Sequence, residues 1–410
     1  MRKEVLTSVI VVLMIAGLGA GYIAGSGFHQ AETRTPTSAA TSPNAFTGQP
    51  VQAADVETAN ISLGRGVNDI AFSNNGSKLY LEQVATETYG VSYSLTVFDT
   101  SSNTRVASVS LPPYPQITDG AHCSALIVDD STGAVYITYM ATPGFRGKLV
   151  AINGSTDTVM GVVPLPPGVC TPSLDSKTNV LWAVAAHPAP GQPHGLVGSV
   201  FGVNASTGSI VENVSLGFAP TFTEADPNTG MVYAVGCSEP TAYVCSSERL
   251  AIIDGANGSL VTTVDLNNPF NPSMTLDPST DIVYVSGGSQ FVAINGTNGN
   301  VILGVDLQTC GAFDINYLAA IPSLDQVVLS PLNSSNVLVY DGATGSLVNA
   351  YSFPILLGHP SLSDSPMYQG YDANTGELYV VVGTDMIVLH DMRAAGNATA
   401  SLIGAGCGQG

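Results

Sequence analysis

Polar side chains suited to catalysis or metal binding recur near the starts of one class of predicted strand. They are Asp69, His122, Thr171, Glu224, Asn271, Asp314 and Gln369. Carboxylates and imidazoles that converge on one point can transfer protons or hold a metal ion. Asp69, His122, Glu224 and Asp314 are therefore the catalytic candidates, although polar side chains are also expected wherever a channel contains water.

The spacing of these side chains matches no familiar metal or nucleophile motif. The histidines His122, His187, His194 and His359 lack the short separations typical of zinc ligands. The sequence also contains no GxSxG, HExxH or Walker A run. It therefore predicts no bound metal and no cofactor, and it leaves enzymatic activity as the less favoured alternative.

The six cysteines form an even set without CxxC spacing, which favours disulfides over a zinc ribbon. Cys237 and Cys245 flank a predicted hairpin loop that contains a proline, and closing it would remove about 2.6 kcal/mol of unfolded-chain entropy. The other four lie near the starts of first strands or after fourth strands. The predicted pairs are Cys237 with Cys245, Cys123 with Cys170, and Cys310 with Cys407.

The N-terminus predicts export. Arg2 and Lys3 precede residues 5–24, which carry no charge. At about 1.5 Å per residue, a helix of that length crosses the ~30 Å hydrocarbon core of a bilayer. Residues 1–25 are read as an uncleaved signal-anchor or, alternatively, as a signal peptide cleaved near Gly25. In both cases the rest of the chain lies outside the cytoplasm, at the cell surface or secreted.

Residues 26–56 are rich in Ser, Thr and Pro and predict an extracellular linker. Asn-x-Ser/Thr acceptors follow the apolar segment and make this a candidate glycoprotein. The acceptor asparagines are Asn60, Asn75, Asn153, Asn204, Asn213, Asn257, Asn295, Asn333 and Asn397. The formal net charge of −20 argues against nucleic acid as a partner, because binding to phosphates rests on basic residues.

Residues 57–410 contain seven copies of one unit, which can be counted by the centre of its second strand. These centres are Tyr80, Tyr136, Trp182, Tyr233, Tyr284, Val328 and Tyr379. Each copy has a turn such as Asp226-Pro-Asn-Thr-Gly before this strand, a third strand that ends in Asp or Asn, and a fourth strand. Repeats of four short strands at this period predict an all-β, seven-bladed β-propeller of four-stranded antiparallel blades.

The pattern of apolar strand, D-P-x-T-G turn, L-Y-V and V-x-[VI]-[ID]-[DNG] resembles the YVTN-type propeller repeats. That family is common among exported and surface-layer-like proteins of archaea and bacteria. The Tyr-Val-Thr-Asn tetrad itself is not intact, and Tyr284-Val285-Ser286 is one of its variants. The resemblance implies the fold and an exported location. It carries no catalytic residues across, because the family is functionally mixed.

Two segments compete to close the ring as the fourth strand of the last blade. They are residues 58–63, which the sequence favours, and residues 398–403. If the first closes the ring, the tether enters on the face formed by the turns between strands 1 and 2 and between strands 3 and 4. Six of the acceptor asparagines fall in those turns: Asn75, Asn153, Asn204, Asn257, Asn295 and Asn397.

The opposite face collects the long connections at residues 83–94, 187–198 and 237–245. Tyr89, Tyr93, His187, His194 and Tyr243 lie within them and form the predicted binding face. Long connections on a rigid scaffold are where recognition usually resides. The sequence therefore predicts a membrane-tethered recognition, adhesion or envelope-structural protein with a protein or glycan partner. The alternative is an exported enzyme, a metal-assisted lactone hydrolase or a lyase, with its site at the channel mouth.

Overall fold

The computed structural model describes most of the chain from residue 51 to residue 389. The described residues are 51–52, 57–73, 76–87, 90–112, 124–129, 131–139, 147–165, 170–188, 196–237, 240–241, 244–245, 247–266, 272–288, 290–307, 315–331, 336–353, 366–372 and 374–389.

The strands form seven antiparallel sheets, each a blade in which consecutive strands are neighbours. Blade 1 contains β3 Gly66–Phe72, β4 Lys78–Glu87, β5 Gly90–Asp99 and β6 Thr104–Ser110, and blade 2 contains β7 Ser124–Asp129, β8 Ala134–Tyr139, β9 Lys148–Asn153 and β10 Thr158–Pro164. Blade 3 contains β11 Cys170–Asp175, β12 Val180–Pro188, β13 Leu196–Asn204 and β14 Ile210–Leu216. Blade 4 contains β15 Ala219–Ala225, β16 Met231–Cys237, β19 Glu248–Asp254 and β20 Ser259–Asp265. A separate ribbon of β17 Pro240–Thr241 and β18 Val244–Cys245 lies between β16 and β19.

Blades 5 to 7 complete the ring. They contain β21 Ser273–Asp277, β22 Ile282–Gly287, β23 Gln290–Asn295, β24 Val301–Asp306; β25 Ile315–Ile321, β26 Gln326–Pro331, β27 Asn336–Asp341, β28 Leu347–Ser352, with β1 Val51–Gln52; and β29 Pro366–Asp372, β30 Glu377–Val382, β31 Asp385–Leu389, with β2 Glu57–Ser62. The predicted seven-bladed, four-stranded architecture is confirmed, and each of the seven predicted repeat centres lies on the second strand of its blade.

In blades 2, 3, 4, 5 and 7 the turn that joins the first strand to the second is held by an aspartate. In blade 4 the Asp226 carboxylate accepts hydrogen bonds from the Asn228 backbone at 2.7 Å and from the Thr229 hydroxyl at 2.8 Å. Gly230 then adopts a φ of 75°, a left-handed conformation that side chains disfavour. Asp129 and Asp372 accept the equivalent bonds in blades 2 and 7. The D-x-x-T-G pattern is therefore turn chemistry rather than a site.

The core is divided into seven apolar clusters, one at each interface between neighbouring blades. The aromatic or aliphatic residue at each repeat centre packs toward the following blade. Tyr80, for example, packs against blade 2, and its hydroxyl reaches the Gly154 carbonyl at 3.3 Å. The unbroken succession of clusters shows why a ring forms, because each sheet buries both faces only against its neighbours.

The ring is closed by the N-terminal segment. Strand β2 pairs antiparallel with β31 and supplies the fourth strand of blade 7, as the favoured alternative predicts. The competing residues 398–403 lie outside the described part of the chain. First strands of successive blades contact one another around the centre, and β29 of blade 7 meets β3 of blade 1.

Two residues of the predicted linker, 26–56, belong to a sheet. Val51 and Gln52 of β1 pair in parallel with Tyr351 and Ser352 at the end of β28. They extend blade 6 by one short strand, and the rest of the predicted linker lies outside the described residues. Backbone hydrogen bonding to a free sheet edge decides this, and Ser/Thr/Pro composition does not report it.

The described residues contain no α-helix, and one 3₁₀ turn is present at Pro322–Leu324. Within this part of the chain no helix is long and apolar enough to span a membrane. The predicted anchor at residues 5–24 lies outside the described residues.

Candidate functional site

Asp69 lies on β3, the innermost strand of blade 1. Its carboxylate accepts a hydrogen bond from the Ile70 backbone N–H at 2.8 Å and another from the Leu126 N–H of blade 2 at 2.9 Å. It therefore ties two inner strands together. The surrounding blades remove water from the carboxyl group, and this raises its pKa to about 7, although the two backbone hydrogen bonds act in the opposite direction.

Glu224 lies on β15, the innermost strand of blade 4, where it stands opposite Tyr233 in the strand pair. Burial first, and the negative charge of Asp69 second, together raise its pKa to about 7. Repulsion between two carboxylates is mutual, so the first to ionise hinders the second.

The electrostatic interaction between Asp69 and Glu224 indicates that both side chains face the central channel. Blades 2 and 3 separate them in one direction around the ring and blades 5 to 7 in the other, so the interaction must cross the central channel. Both side chains also keep partial contact with solvent. Both residues lie on first strands, Asp69 in the middle of β3 and Glu224 near the end of β15, and the structure brings them within electrostatic reach of each other. A catalytic role for them stays a prediction.

The other channel candidates divide into two groups. Gln369 does not line the channel, because it is 2% exposed and bridges blades 6 and 7 through the Val328 carbonyl at 2.9 Å and the Ser330 hydroxyl at 2.8 Å. Thr171 donates to the Thr221 carbonyl of blade 4 at 2.6 Å, which also joins neighbouring blades. The remaining candidates, His122, Asn271, Asp314 and His359, lie outside the described residues.

A metal centre needs at least three converging ligands. Among the described residues no group of three His, Cys, Asp or Glu side chains is placed to hold a metal ion.

Three connections between second and third strands extend beyond the ring on one face. Strands β4 and β5 have ten residues each, β12 and β13 have nine each, and the β17–β18 ribbon lies between β16 and β19. In blades 5 and 7 the same connection needs only residues 288–289 and 383–384. We call the side with the extended connections the hairpin face and the opposite side the turn face.

The hairpin face contains the predicted binding residues, with differences in detail. Residues 83–94 are mostly extended strand rather than loop. Tyr93 is not a surface contact, because it is 7% exposed and packs edge-on against Tyr139 of blade 2 with ring centroids 5.6 Å apart. His187 pairs with Val197 in the strand ladder. Tyr89, His194 and Tyr243 lie outside the described residues.

The acceptor asparagines described on the turn face have a structural role. Asn153 and Asn204 end third strands, and their side-chain oxygens accept hydrogen bonds from the backbone of Thr156 at 3.2 Å and of Thr207 at 3.0 Å. Asn295 caps its turn in the same way. Asn60 and Asn213 are exposed on outer strands, and Asn75, Asn333 and Asn397 lie outside the described residues. Glycosylation of these sites stays a prediction.

Cys237 is part of a disulfide bond. The β17–β18 ribbon pairs Pro240 with Cys245, which folds the chain back on itself beyond Cys237. Cys237 with Cys245 stays the expected pair. Cys170 lies at the start of β11. The structure does not describe the side chains of the other cysteines.

Sequence reasoning missed a polar cavity of about 400 Å³ beside blade 1, lined by Arg65, Gln83 and Arg105 among others. It also missed Glu248, a 1% exposed carboxyl group whose pKa burial raises to about 9. The signal available was a polar residue inside an apolar strand run, as in KLYLEQV around Gln83.

Comparison with known proteins supports the fold alone. The sequence matches no protein-family model and no curated protein. A chain in the crystal structure of the mitotic checkpoint complex is 10% identical, with a TM-score of 0.55, and the match covers 90% of this chain and 98% of that one. A chain of Kuenenia stuttgartiensis hydrazine synthase is 11% identical, with a TM-score of 0.59, and the match covers 82% and 98%. This chain is a seven-bladed propeller with WD40-like structural neighbours, and no family match supports the YVTN-type assignment.

Proposed function

We propose that this chain is an exported, membrane-anchored recognition protein whose hairpin face binds a protein partner at the cell surface. The observation that carries the proposal is that blades 1, 3 and 4 all extend beyond the ring on the same face. An extension is not required to build a blade, since blade 5 completes its sheet with strands of six residues.

Two further features support this assignment. The turn face is built from short Asx-type turns that leave little relief for specific contact. One structural neighbour is a component of a protein assembly, the mitotic checkpoint complex, which illustrates that this fold serves as a scaffold for protein contacts. An adhesion role, an envelope-structural role and a glycan partner are variants of the same proposal.

Site-specific photo-crosslinking in the native host tests which face is used. Ala186 and Gln290 are exposed near the hairpin face, and Ser155 and Thr207 are exposed on the turn face. A photoreactive residue at either of the first two positions should give a discrete crosslinked product, and the two matched controls should not. Products from the turn face alone, equal products from both faces, or none from either would overturn the proposal.

The location has its own test. N-terminal sequencing of the native protein should show an uncleaved terminus in the membrane fraction. A mature terminus near Gly27 would remove the anchor and make the protein secreted.

One observation favours the second candidate, an exported enzyme of the lactone hydrolase or lyase type. The Asp69–Glu224 pair supplies two carboxyl groups whose pKa values lie near 7, which suits general acid-base catalysis. Turnover of a lactone panel that is lost in Glu224→Gln, with the fold retained, would favour this candidate. Equal turnover by the variant would exclude the channel as its site.

A further inference from the structure

A polar cavity of about 400 Å³ lies between blade 1 and the segment that closes blade 7. Leu63 and Arg65, which link β2 to β3, form one side of it. Gln83 of β4 and Arg105 of β6 belong to the other side. The cavity lies within the size range of pockets that enclose small ligands.

Unequal strand lengths create the cavity. On the side of blade 1 that faces blade 7, Leu79, Leu81 and Phe98 pack against apolar residues of that blade. Strands β4 and β5 continue for ten residues each, whereas β30 and β31 stop after six and five. The next position on the same side of β4 is Gln83, which is not part of this apolar cluster.

Gln83 is built into the cavity wall with one end unsatisfied. It is 3% exposed, and its side-chain oxygen accepts a hydrogen bond from the Thr96 hydroxyl at 2.5 Å. Its amide nitrogen is buried and has no hydrogen-bond partner among the described residues. A buried donor without an acceptor is unfavourable, and a ligand oxygen in the cavity would satisfy it.

The charge of the cavity is opposite to that of the chain. The protein has 31 acidic and 11 Lys or Arg residues, yet two arginines and no carboxylate line this cavity. The ion pairs present in the described residues join Lys78 to Asp157 and Arg249 to Asp265. Arg65 and Arg105 are therefore unneutralised there, and guanidinium groups bind planar or tetrahedral anions with particular strength.

Hydroxyl groups cover the surface between the two arginines. Ser94 stands opposite Ser110, and Thr96 stands opposite Ser108, in the β5–β6 pair. All four line the cavity. The hydroxyls of Ser94, Ser108 and Ser110 can donate and accept, and the Thr96 hydroxyl, whose hydrogen is donated to Gln83, can accept. This is the chemistry that sugar hydroxyls require.

We propose that this cavity binds an acidic saccharide of one or two sugar units, with its carboxylate or sulfate group held by Arg65 or Arg105 and its hydroxyls bound by Gln83 and the serine and threonine side chains. The site goes beyond the proposed protein contact. It does not depend on that contact, since it lies between blades rather than on the tips of the hairpins.

Titration calorimetry on the full chain in a detergent without sugar groups provides the test. Glucuronate and glucose 6-sulfate are the acidic probes, glucose is the neutral control, and inorganic phosphate tests for simple anion binding. At least one acidic sugar should bind about tenfold or more tightly than glucose and phosphate, because a charged hydrogen bond contributes more than 1.4 kcal/mol. The preferred acidic sugar distinguishes carboxylate from sulfate.

Variants locate the site. Arg65 and Arg105 are exposed, so Arg65→Gln and Arg105→Gln should both keep the thermal unfolding temperature, and at least one of them should weaken acidic-sugar binding about tenfold. Arg249→Gln, whose ion pair lies in blade 4, is the matched control and should bind as the wild type does. Absence of acidic-sugar binding, equal binding of glucose or phosphate, or binding unchanged in both arginine variants would overturn the proposal.

Discussion

Tyr233 of blade 4 donates a hydrogen bond of 2.8 Å from its phenol to the Asp281 carboxylate of blade 5. Tyr379 of blade 7 makes the equivalent contact to Asn103 of blade 1 at 2.9 Å. Burial raises the pKa of the Tyr233 phenol, and the bond to Asp281 raises it further, so the group remains a donor at any ordinary pH. The aromatic repeat position therefore joins blades through hydrogen bonds as well as packing.

The Tyr233–Asp281 bond predicts the effect of Tyr233→Phe. The substitution should lower the free energy of unfolding by about 2 kcal/mol, because it removes a bond to a charged group and keeps the ring packing. Trp182, the single tryptophan, is buried at the interface of blades 3 and 4, so its fluorescence reports unfolding in denaturant.

Tyr136→Phe is the matched control for that measurement. Tyr136 occupies the same repeat position in blade 2, and its hydroxyl forms no hydrogen bond with a described residue. Its variant should lose less than half as much stability. Equal losses in the two variants would show that the hydroxyl bond contributes nothing.

The channel carboxylates predict a pH dependence. The pKa of both Asp69 and Glu224 rises from its ordinary value near 4 to about 7 in the folded state. The folded state therefore holds these protons more tightly, and the pair's favourable contribution, complete below about pH 4, is lost as pH rises toward 7. Glu224→Gln should reduce the dependence of unfolding free energy on pH, and the variant should be more stable than the wild type above pH 7. Unfolding free energies of the variant and the wild type that run parallel from pH 4 to 8 would contradict this prediction.

Glu248 predicts a second pH effect, at higher pH. Burial raises its pKa to about 9, and neither carboxyl oxygen accepts a hydrogen bond from a described residue. The group is therefore neutral at pH 7, and its contribution to stability is lost as pH rises through 9. Glu248→Gln should change the free energy of unfolding little at pH 7 and should raise it at pH 10. Chemical unfolding at the two pH values measures this, and destabilisation at pH 10 would count against it.

The packing around Glu248 gives a separate check. A Cβ atom at Gly287 would overlap the Glu248 carboxyl group. Gly287→Ala should therefore destabilise the protein at both pH values, by about 1–3 kcal/mol for an overpacked site. Gly304→Ala is the control, because its added Cβ would meet only Val292 at an ordinary 3.9 Å.

Ring closure by β2 predicts the effect of truncation. Removing residues 1–63 exposes the apolar edge of blade 7 and deletes Ala59, Ile61 and Leu63 from the interface with blade 1. The thermal unfolding transition should fall by the equivalent of about 3 kcal/mol or more. Removing residues 1–50 or 398–410 should have little effect. A larger loss from the C-terminal deletion would contradict closure by β2.

The disulfide at Cys237 predicts a local effect. Cys237→Ser should cost at most about 2.6 kcal/mol, the entropy of a loop closed to Cys245. Peptide mapping without reduction should recover Cys237 linked to Cys245. Recovery of Cys237 linked to another cysteine would refute the expected pair.

The sequence by itself determined the number of blades and the place of each second strand, and it favoured residues 58–63 over residues 398–403 as the closing segment. These features rest on local chemistry: alternating apolar residues make strands, Asp and Gly at fixed offsets make the turns, and an unpaired strand such as β2 must find an edge. The sequence also placed Asp69 and Glu224 near first strands, but it did not place them within those strands: Asp69 lies in the middle of β3 and Glu224 near the end of β15.

Tertiary structure alone decided what those residues meet. Asp69 and Glu224 interact because a ring of seven places blades 1 and 4 across the channel, a distance that no local pattern encodes. Gln83 lines a cavity because β4 and β5 continue beyond the strands of blade 7, which lies at the other end of the sequence. Tyr93, on the other side of the same sheet, is buried because it packs against Tyr139 of blade 2. Relative strand length across an interface is a property of two distant segments, and it appears only when the ring has closed.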